Sequence, residues 1–239
     1  MSTAIFTEGM TETSPRRKAR IAGFFYLLTF LVAGVSSFAG GGIAATANSM
    51  LAHPSLFRLG FAADLVVVAC YIAVTALFYD LFKPVNPSLS LLAAFFSLVG
   101  CSIQAFICFF HLAPLVLLGG AQYLSVFKVE QLRALAVMFL DFYNQGFSIA
   151  LVFFGFYCLL IGYLIFRSAF LPRILGVLMA IAGLGWLTFL SSPFANHLAP
   201  YNLASGILGE GSLTLWLLVV GVNVSKWEEK ASAGRVTGA

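Results

Sequence analysis

Long apolar runs separated by short polar stretches dominate this sequence. Because a helix rises about 1.5 Å per residue, about 20 apolar residues are needed to cross the roughly 30 Å of hydrocarbon in a bilayer. Runs of at least that length lie at residues 21–40, 57–82, 89–118, 143–166, 172–192 and 203–224. The period-two alternation of membrane β-strands is missing from the sequence. The pattern therefore predicts an all-α, polytopic membrane helix bundle with about six transmembrane helices.

The positively charged side chains are unevenly divided between the two ends of the predicted helices. Lys and Arg close to membrane helices stay on the cytoplasmic side during insertion. With a cytoplasmic N-terminus, ten of the 13 Lys and Arg residues fall on the inner side, and the outer side keeps Arg58, Lys128 and Arg133. We therefore expect a cytoplasmic N-terminal tail at residues 1–19, a single six-helix transmembrane domain at 20–225, and a cytoplasmic, disordered C-terminal tail at 226–239.

The first predicted helix also permits a different interpretation. Basic residues precede an apolar run that ends in Ser37, Phe38 and Ala39, an order that imitates a secretory signal peptide cleaved after Ala39. The run is long for the apolar part of a signal peptide and adequate for a membrane span. We therefore interpret it as a retained helix, and its removal remains the alternative.

The stretch before and through the fourth predicted helix is too long for one crossing. Residues 129–166 contain no Pro, and as one helix they would extend roughly 57 Å. Within them, residues 130–142 place apolar side chains at helical spacing, which favours an amphipathic helix on the outer side, before helix 4. A longer, tilted fourth helix that protrudes into water is the alternative.

Composition supports a membrane location and narrows the possible partners. Of 239 residues, 61% are hydrophobic and 9% are charged, whereas about 25% of residues are charged in an average soluble domain. The composition therefore excludes an ordinary water-soluble globular protein. The net charge of +4 comes from basic residues that flank the apolar runs, so we expect no nucleic acid partner. The four cysteines lie within predicted spans and are expected to be reduced.

Ionisable side chains at membrane depth supply the candidate site. Such groups are costly in hydrocarbon, so each one indicates a functional or packing role. Asp64, His111 and Glu210 each lie seven residues from the outer end of their predicted helix, a depth of about 10 Å. We therefore expect one polar layer in the outer half of the bilayer, bordered by polar residues at its edge. The candidate ligand-binding residues are Arg58, Asp64, His111, Asp141, Asn144 and Glu210.

Two other roles are open for this layer. Buried Asp, Glu and His side chains also fix helix packing through interhelical hydrogen bonds, and that role is as compatible with the sequence as a pocket. Asp64, His111 and Glu210 are also side chains that can ligate a divalent ion. The sequence lacks the HxxxH and HExxH spacings of zinc sites. We therefore expect neither a metal nor a cofactor, and we assign no catalytic residue.

Several sequence blocks resemble a known family. They are Phe57-Arg-Leu-Gly-Phe-Ala-Ala-Asp-Leu65, the turn at Pro84-Val-Asn86, Phe-Leu-Pro-Arg-Ile-Leu-Gly at 170–176, and Gly209-Glu-Gly-Ser-Leu-Thr-Leu-Trp216. These blocks resemble a bacterial membrane family known as domain of unknown function 4386, and the resemblance covers nearly the whole chain after Lys18. It implies an integral protein of the bacterial inner (cytoplasmic) membrane. It brings no activity, cofactor or catalytic residue with it.

Three functions are compatible with these observations. The first is a non-enzymatic bundle that binds a membrane lipid or small amphiphile through the outer polar pocket. The second is an intramembrane lipid-modifying enzyme with Asp64 or Glu210 as acid or base and His111 as partner. The third is a proton-coupled small-solute transporter, which requires polar residues that continue to the inner side. The inner half is nearly uncharged, so we rank the transporter last and the lipid-binding bundle first.

Overall fold

The structure, a computed structural model, describes residues 14–39 and 54–236, and the statements below concern those ranges. Their helices are α1 (Pro15–Ala39), α2 (Pro54–Phe82), α3 (Pro87–Leu118), α4 (Val129–Ser168), α5 (Arg173–Leu187), α6 (Ser192–Leu198), α7 (Tyr201–Val219) and α8 (Val224–Val236). Five described helical stretches, namely α2, α3, α4, α5 with its extension to Leu190, and α7, are long and apolar enough to cross a membrane. The predicted polytopic helix bundle is confirmed.

The first predicted crossing corresponds to α1. Ala19, Ala22 and Tyr26 of this helix are fully buried. Gly23 allows α1 to approach α7 closely, since a Cβ atom at this position would lie 3.0 Å from the Cβ atom of Leu217. The helix is therefore part of the core of the bundle, and its crossing of the membrane stays a prediction.

The six long helices form a closed ring in the described part of the chain. Each packs against two neighbours, in the order α1, α2, α3, α4, α5 and α7, and α7 then returns to α1. Aromatic side chains fill the interior, where Phe78, Phe82 and Tyr157 are almost fully buried. The ring places side chains from several helices around a common centre.

Polar contacts define one end of the ring, which we call the basic end. Lys18 near the start of α1 pairs with Asp80 near the end of α2, and Lys83 pairs with the same carboxylate. The Nε atom of Arg16 donates a hydrogen bond to the carbonyl of Val220 (3.3 Å). The start of α1 and the end of α7 therefore lie at the same end, as predicted. The other end of the bundle is called the far end.

The predicted separate amphipathic helix over residues 130–142 is wrong. A single helix of 40 residues, α4, runs through this stretch, which corresponds to the alternative of a longer fourth helix. Its first Gly is Gly146, so no helix-breaking residue interrupts the stretch. Phe139 and Phe142 contact Phe110 of α3, with ring centroids 5.9 and 6.0 Å apart. The first half of α4 therefore continues to pack along α3.

The end of the chain also differs from the prediction. The last long helix was expected to reach residue 224, but α7 ends at Val219, and the chain turns at Gly221 with a φ of +77°. The tail, expected to be disordered, forms α8 as far as Val236. Asn223 caps this helix by accepting a hydrogen bond from the Lys226 amide (3.2 Å), and Trp227 Nε1 donates to the Leu81 carbonyl (2.9 Å). These two contacts fix the start of α8 to the bundle.

Glycines bring α4 and α5 into backbone contact. A Cβ atom at Gly162 would lie 2.7 Å from the carbonyl oxygen of Gly176, and a Cβ atom at Gly183 would lie 2.8 Å from that of Gly155. Small residues are typical of such close helix contacts in membranes, where packing and dispersion drive association. This contact aligns α5 against the part of α4 that carries Cys158.

Candidate functional site

Two of the three predicted deep ionisable groups meet in the far half of the bundle. Asp64 of α2 and His111 of α3 are 6% and 5% exposed. The Oδ2 atom of Asp64 lies 3.2 Å from the Nδ1 atom of His111. His111 is seven residues from the end of α3 at Leu118, a depth of about 10 Å. The expected proximity of Asp64 and His111 is therefore found.

A tyrosine from a third helix completes this group, which we call the Asp64 cluster (Asp64, His111 and Tyr143). The hydroxyl of Tyr143 on α4 donates a hydrogen bond to Asp64 Oδ2 (2.9 Å). The Tyr143 ring also meets the His111 ring edge-on at 5.1 Å. Phe57 covers the imidazole from another side, with ring centroids 4.3 Å apart. The cluster thus joins α2, α3 and α4 around a carboxylate and an imidazole.

The imidazole of His111 has unused hydrogen-bonding capacity. Among the described residues, neither Nδ1 nor Nε2 forms a hydrogen bond, although both atoms are buried. Asp64 Oδ2 lies within ion-pair distance of Nδ1 (3.2 Å). A neutral imidazole offers one donor and one acceptor, and a protonated imidazole offers two donors. The cluster can therefore accept a further polar group.

Glu210 belongs to a different group, at the centre of the ring. It lies at the midpoint of α7, nine residues from Tyr201 and nine from Val219. The hydroxyls of Tyr26 and Tyr71 donate to its Oε2 atom, the latter over 3.1 Å. Trp186 Nε1 donates to Oε1 over 2.6 Å. The Cys158 thiol is a further hydrogen-bonding neighbour, so side chains from α1, α2, α4, α5 and α7 converge here.

The Glu210 cluster (Glu210, Tyr26, Tyr71, Trp186 and Cys158) is separate from the Asp64 cluster. On α2, Tyr71 follows Asp64 by seven residues, which is about 10 Å along the helix. The predicted single polar layer that includes Glu210 is therefore wrong. Equal residue counts give equal depths only when helices begin at the same level, and α7 has 19 residues against 29 for α2. Since both helices reach the basic end, α7 begins deeper.

The remaining predicted site residues lie on the surface. Arg58, Asp141 and Asn144 are exposed, and no described contact joins them to Asp64 or His111. They are therefore not part of the buried cluster. In the described ranges, no group of three His, Cys, Asp or Glu side chains is close enough to hold a metal ion. The metal site considered for Asp64, His111 and Glu210 thus has no geometric basis.

Buried polar residues recur along α3 from one half of the bundle to the other. They are spaced by seven residues at Ser90, Ser97, Gln104 and His111. The Ser97 hydroxyl lies 2.6 Å from that of Thr75, and the Ser90 hydroxyl donates to the Tyr79 carbonyl (3.1 Å). In the half toward the basic end these groups are hydroxyls that hydrogen-bond to α2. Their contacts account for a role in helix packing.

The aromatic residues of both clusters were not predicted from the sequence. Tyr26, Tyr71, Tyr143 and Trp186 are uncharged and so lack the feature that marked Asp64, His111 and Glu210 as site candidates. Tyr and Trp in membrane helices are usually enriched at the two interfaces. Tyr26 and Tyr71 instead lie well inside their helices, and a polar aromatic residue buried in a bundle needs a hydrogen-bond partner. That position is the signal that would have identified them.

Comparison with known proteins gives a family and one distant relative. The family described as "Domain of unknown function (DUF4386)" matches residues 21–221. An uncharacterized protein of the archaeon Archaeoglobus fulgidus is 22% identical over 161 residues, which are 67% of this chain and 83% of that protein. No solved structure matches the chain. The relative is archaeal, so a bacterial origin for this chain stays a prediction.

Proposed function

Because this chain belongs to the DUF4386 family, whose description states no activity, we propose a function from the chemistry of its buried side chains. The protein binds the polar group of a lipid or another small amphiphile at the Asp64 cluster. It does so as a multi-pass membrane protein, a description that follows from its several apolar helices. The proposal keeps the first of the three predicted functions and restricts its site to one cluster.

The observation that carries the proposal is the His111 imidazole, whose Nε2 atom is buried without a hydrogen bond to any described residue while its Nδ1 atom lies 3.2 Å from Asp64 Oδ2. A buried polar group without a partner costs about 1–3 kcal/mol, and such groups are uncommon in native proteins. Both His111 nitrogens are buried and lack a hydrogen bond within the described ranges. A ligand with a hydroxyl, amine or acidic group would satisfy the Nε2 atom, while Asp64 contacts Nδ1. The site is therefore suited to a polar group that both donates and accepts hydrogen bonds.

The depth of the cluster favours an amphiphile over a water-soluble molecule. His111 lies about 10 Å inward from the end of α3, within a helix that is apolar enough to span a membrane. Its neighbours on α3 include Phe106 and Phe109, which are 66% and 71% exposed and face outward from the bundle. A molecule dissolved in lipid would meet these aromatic surfaces first. Its polar group could then reach the cluster between the helices.

Acid–base catalysis on a lipid head group is a second candidate function, and the Asp64–His111 contact favours it. A carboxylate beside an imidazole is a common arrangement for a general acid or base, because the carboxylate orients the ring and stabilises its protonated form. Glu210 is too far away to share this role. No comparable observation supports the transporter hypothesis, since the buried polar groups of α3 nearer the basic end are hydroxyls already bonded to α2.

The orientation and location of the bundle are also part of the proposal. The Lys and Arg residues concentrated at the basic end support a cytoplasmic position for that end. The membrane would then be the cytoplasmic membrane of a prokaryote, with the Asp64 cluster in its outer half. A lipid or amphiphile would reach the cluster from the outer leaflet.

The proposal is tested by identifying what the protein carries after purification in a mild detergent. Native mass spectrometry of the wild type should show a bound amphiphile. The variants Asp64→Asn and His111→Phe should lose most of it, since each removes a polar contact at the cluster while it keeps a similar side-chain volume. Thermal unfolding of the same samples reports whether the bundle remains folded.

Asn144→Ala is the matched control, because Asn144 is exposed on α4 close in sequence to Tyr143. This variant should retain the bound species. A wild-type protein that carries nothing, or variants that lose thermal stability and keep the species, would show that the Asp64 cluster serves packing alone. Turnover of a lipid by the wild type and not by His111→Phe would favour the enzymatic alternative.

A further inference from the structure

A cavity of about 700 Å³ lies at the basic end, on the opposite side of the bundle from the Asp64 cluster. It is open to the surface and is lined by the start of α1, the turn between α4 and α5, the end of α7 and the start of α8. Its wall includes Arg16, Phe170, Pro172, Trp216, Asn223 and Lys226. We call it the basic-end cavity.

Hydrogen bonds between separate chain segments hold the wall of this cavity together. The Asn223 amide donates to the Phe170 carbonyl (3.1 Å), which ties the α7–α8 turn to the α4–α5 turn. Arg16 Nε donates to the Val220 carbonyl (3.3 Å), which ties α1 to the same turn. The Ser225 hydroxyl donates to the Asn223 side chain (2.8 Å). The cavity is thus bounded by connected segments from four parts of the chain.

The charge of the wall is positive. Arg16 and Lys226 line the cavity, and none of its described lining residues is Asp or Glu. Asp80, an acidic residue at this end, is already paired with Lys18 and Lys83. In the described ranges, neither Arg16 nor Lys226 forms an ion pair. The cavity therefore offers two cationic side chains with no protein anion between them.

Arg16 retains hydrogen-bonding capacity for a ligand. Its Nε atom is directed to the Val220 carbonyl, but a guanidinium group has five N–H donors in a planar fork. The terminal nitrogens of such a group match the spacing of two phosphate or carboxylate oxygens. An oxyanion in the cavity could therefore contact Arg16 and the ammonium group of Lys226 together.

Beside the polar side chains of Asn223 and Ser225, part of the wall is apolar. Phe170, Leu171 and Val222 are buried core residues, and they line the cavity together with Trp216. A ligand that fills this space would present an anionic group to Arg16 and Lys226 and a less polar part to these side chains. Basic pockets between membrane helices are suited to anionic lipid head groups for this reason. We infer that the basic-end cavity binds the phosphate group of an anionic ligand, with a phospholipid as the source that these apolar side chains favour.

The experiment measures the thermal stability of the purified full-length protein in a non-ionic detergent. Phosphatidylglycerol should raise the unfolding temperature in a saturable manner, and net-neutral phosphatidylcholine should not. Lys226→Gln should weaken the apparent affinity for phosphatidylglycerol about fivefold, the contribution of one basic residue near an anionic lipid surface. Lys230→Gln is the matched control. It removes the same charge four residues later on α8 and does not line the cavity.

A third arm distinguishes a lipid from a soluble phosphate ester. Competition by glycerol 3-phosphate would show that a free phosphate ester occupies the same site, whereas binding of phosphatidylglycerol alone would identify a lipid site. Both results support a phosphate site in the cavity. Equal losses of affinity in Lys226→Gln and Lys230→Gln would indicate diffuse attraction to the whole basic end and overturn the inference. Equal responses to phosphatidylglycerol and phosphatidylcholine would also overturn it.

Discussion

Glu210 shows how the bundle accommodates a carboxylate near its centre. Removal of a charged group from water costs several kcal/mol unless hydrogen bonds replace its hydration. Tyr26, Tyr71 and Trp186 supply three such bonds, and they come from three helices other than α7. The arrangement therefore links four helices through one side chain. It satisfies the carboxylate oxygens with protein donors, which favours a packing role for Glu210.

Replacement of Glu210 by alanine should destabilise the bundle strongly. It leaves the buried donors of Tyr26, Tyr71 and Trp186 without their acceptor, and each unpaired group costs about 1–3 kcal/mol. We expect a loss of at least about 3 kcal/mol, seen as a lower thermal unfolding midpoint in detergent. Thr214→Ala is the control, since the Thr214 hydroxyl bonds only to the backbone carbonyl of Glu210 in the preceding turn. Equal effects of the two variants would contradict the packing role.

The Asp64 cluster shows which residues of the site could be predicted from the sequence. Depth along the predicted helices correctly indicated that Asp64 and His111 meet, because α2 and α3 are neighbours joined by a short turn at the basic end. The same reasoning failed for Glu210, because the length of α7 was overestimated and the far-end connection contains α6. The hydrogen-bonding tyrosines could not be assigned to a cluster without knowledge of which helix faces meet.

The helices illustrate which features of an element the sequence specifies. Apolar length predicts the membrane spans, and Pro87 marks the start of α3, where Asn86 accepts a hydrogen bond from the Leu89 amide (2.9 Å). The sequence does not specify where a continuous helix leaves the lipid. The first half of α4 continues the same helix because no helix-breaking residue interrupts it and because it packs against Phe110 of α3. For α8 the anchor is the distant Leu81 carbonyl, which no local pattern reveals.

Two glycines that flank Glu210 on α7 provide a matched test of helix packing. A Cβ atom at Gly209 would lie 2.5 Å from the carbonyl oxygen of Leu178 on α5, whereas at Gly211 it would meet nothing within 4 Å. Gly209→Ala should therefore force α5 and α7 apart and cost about 1–3 kcal/mol. Gly211→Ala should be neutral or stabilise by up to about 1 kcal/mol through helix propensity.

Thermal unfolding in the same detergent measures both glycine variants. A stability of Gly209→Ala equal to that of Gly211→Ala would show that α5 and α7 do not pack as the structure has them. The comparison is informative because both substitutions add the same single methyl group to the same helix.

The whole molecule places three polar features at different depths of one ring of helices. The Asp64 cluster lies in the far half, the Glu210 cluster near the middle, and the basic-end cavity at the other end. Only the middle cluster is fully paired by protein hydrogen bonds, and it joins the largest number of helices. We therefore propose that the Glu210 cluster stabilises the packing of the ring of helices. We propose the Asp64 cluster and the basic-end cavity as the ligand-binding sites.

Orientation in the membrane is a property of the whole molecule that can be measured directly. The natural cysteines are buried, so an introduced cysteine on the surface should dominate labelling by a membrane-impermeant maleimide. Ser125→Cys, in the exposed turn before α4, should be labelled in intact cells. Ser232→Cys, exposed on α8, should be labelled only after the membrane is permeabilised. The reverse pattern would place the basic end outside the cell and contradict the proposed orientation.

The His111 imidazole in the Asp64 cluster is proposed to contact a bound amphiphile. The most direct measurement is the ¹⁵N spectrum of protein labelled at its three histidines, with the His111 signal identified by its loss in His111→Phe. If an amphiphile binds there, the ring nitrogen shifts of His111 should change when bound lipid is removed by exhaustive detergent exchange and return when the extracted lipid is added back. His111 signals that stay unchanged through this cycle would contradict it.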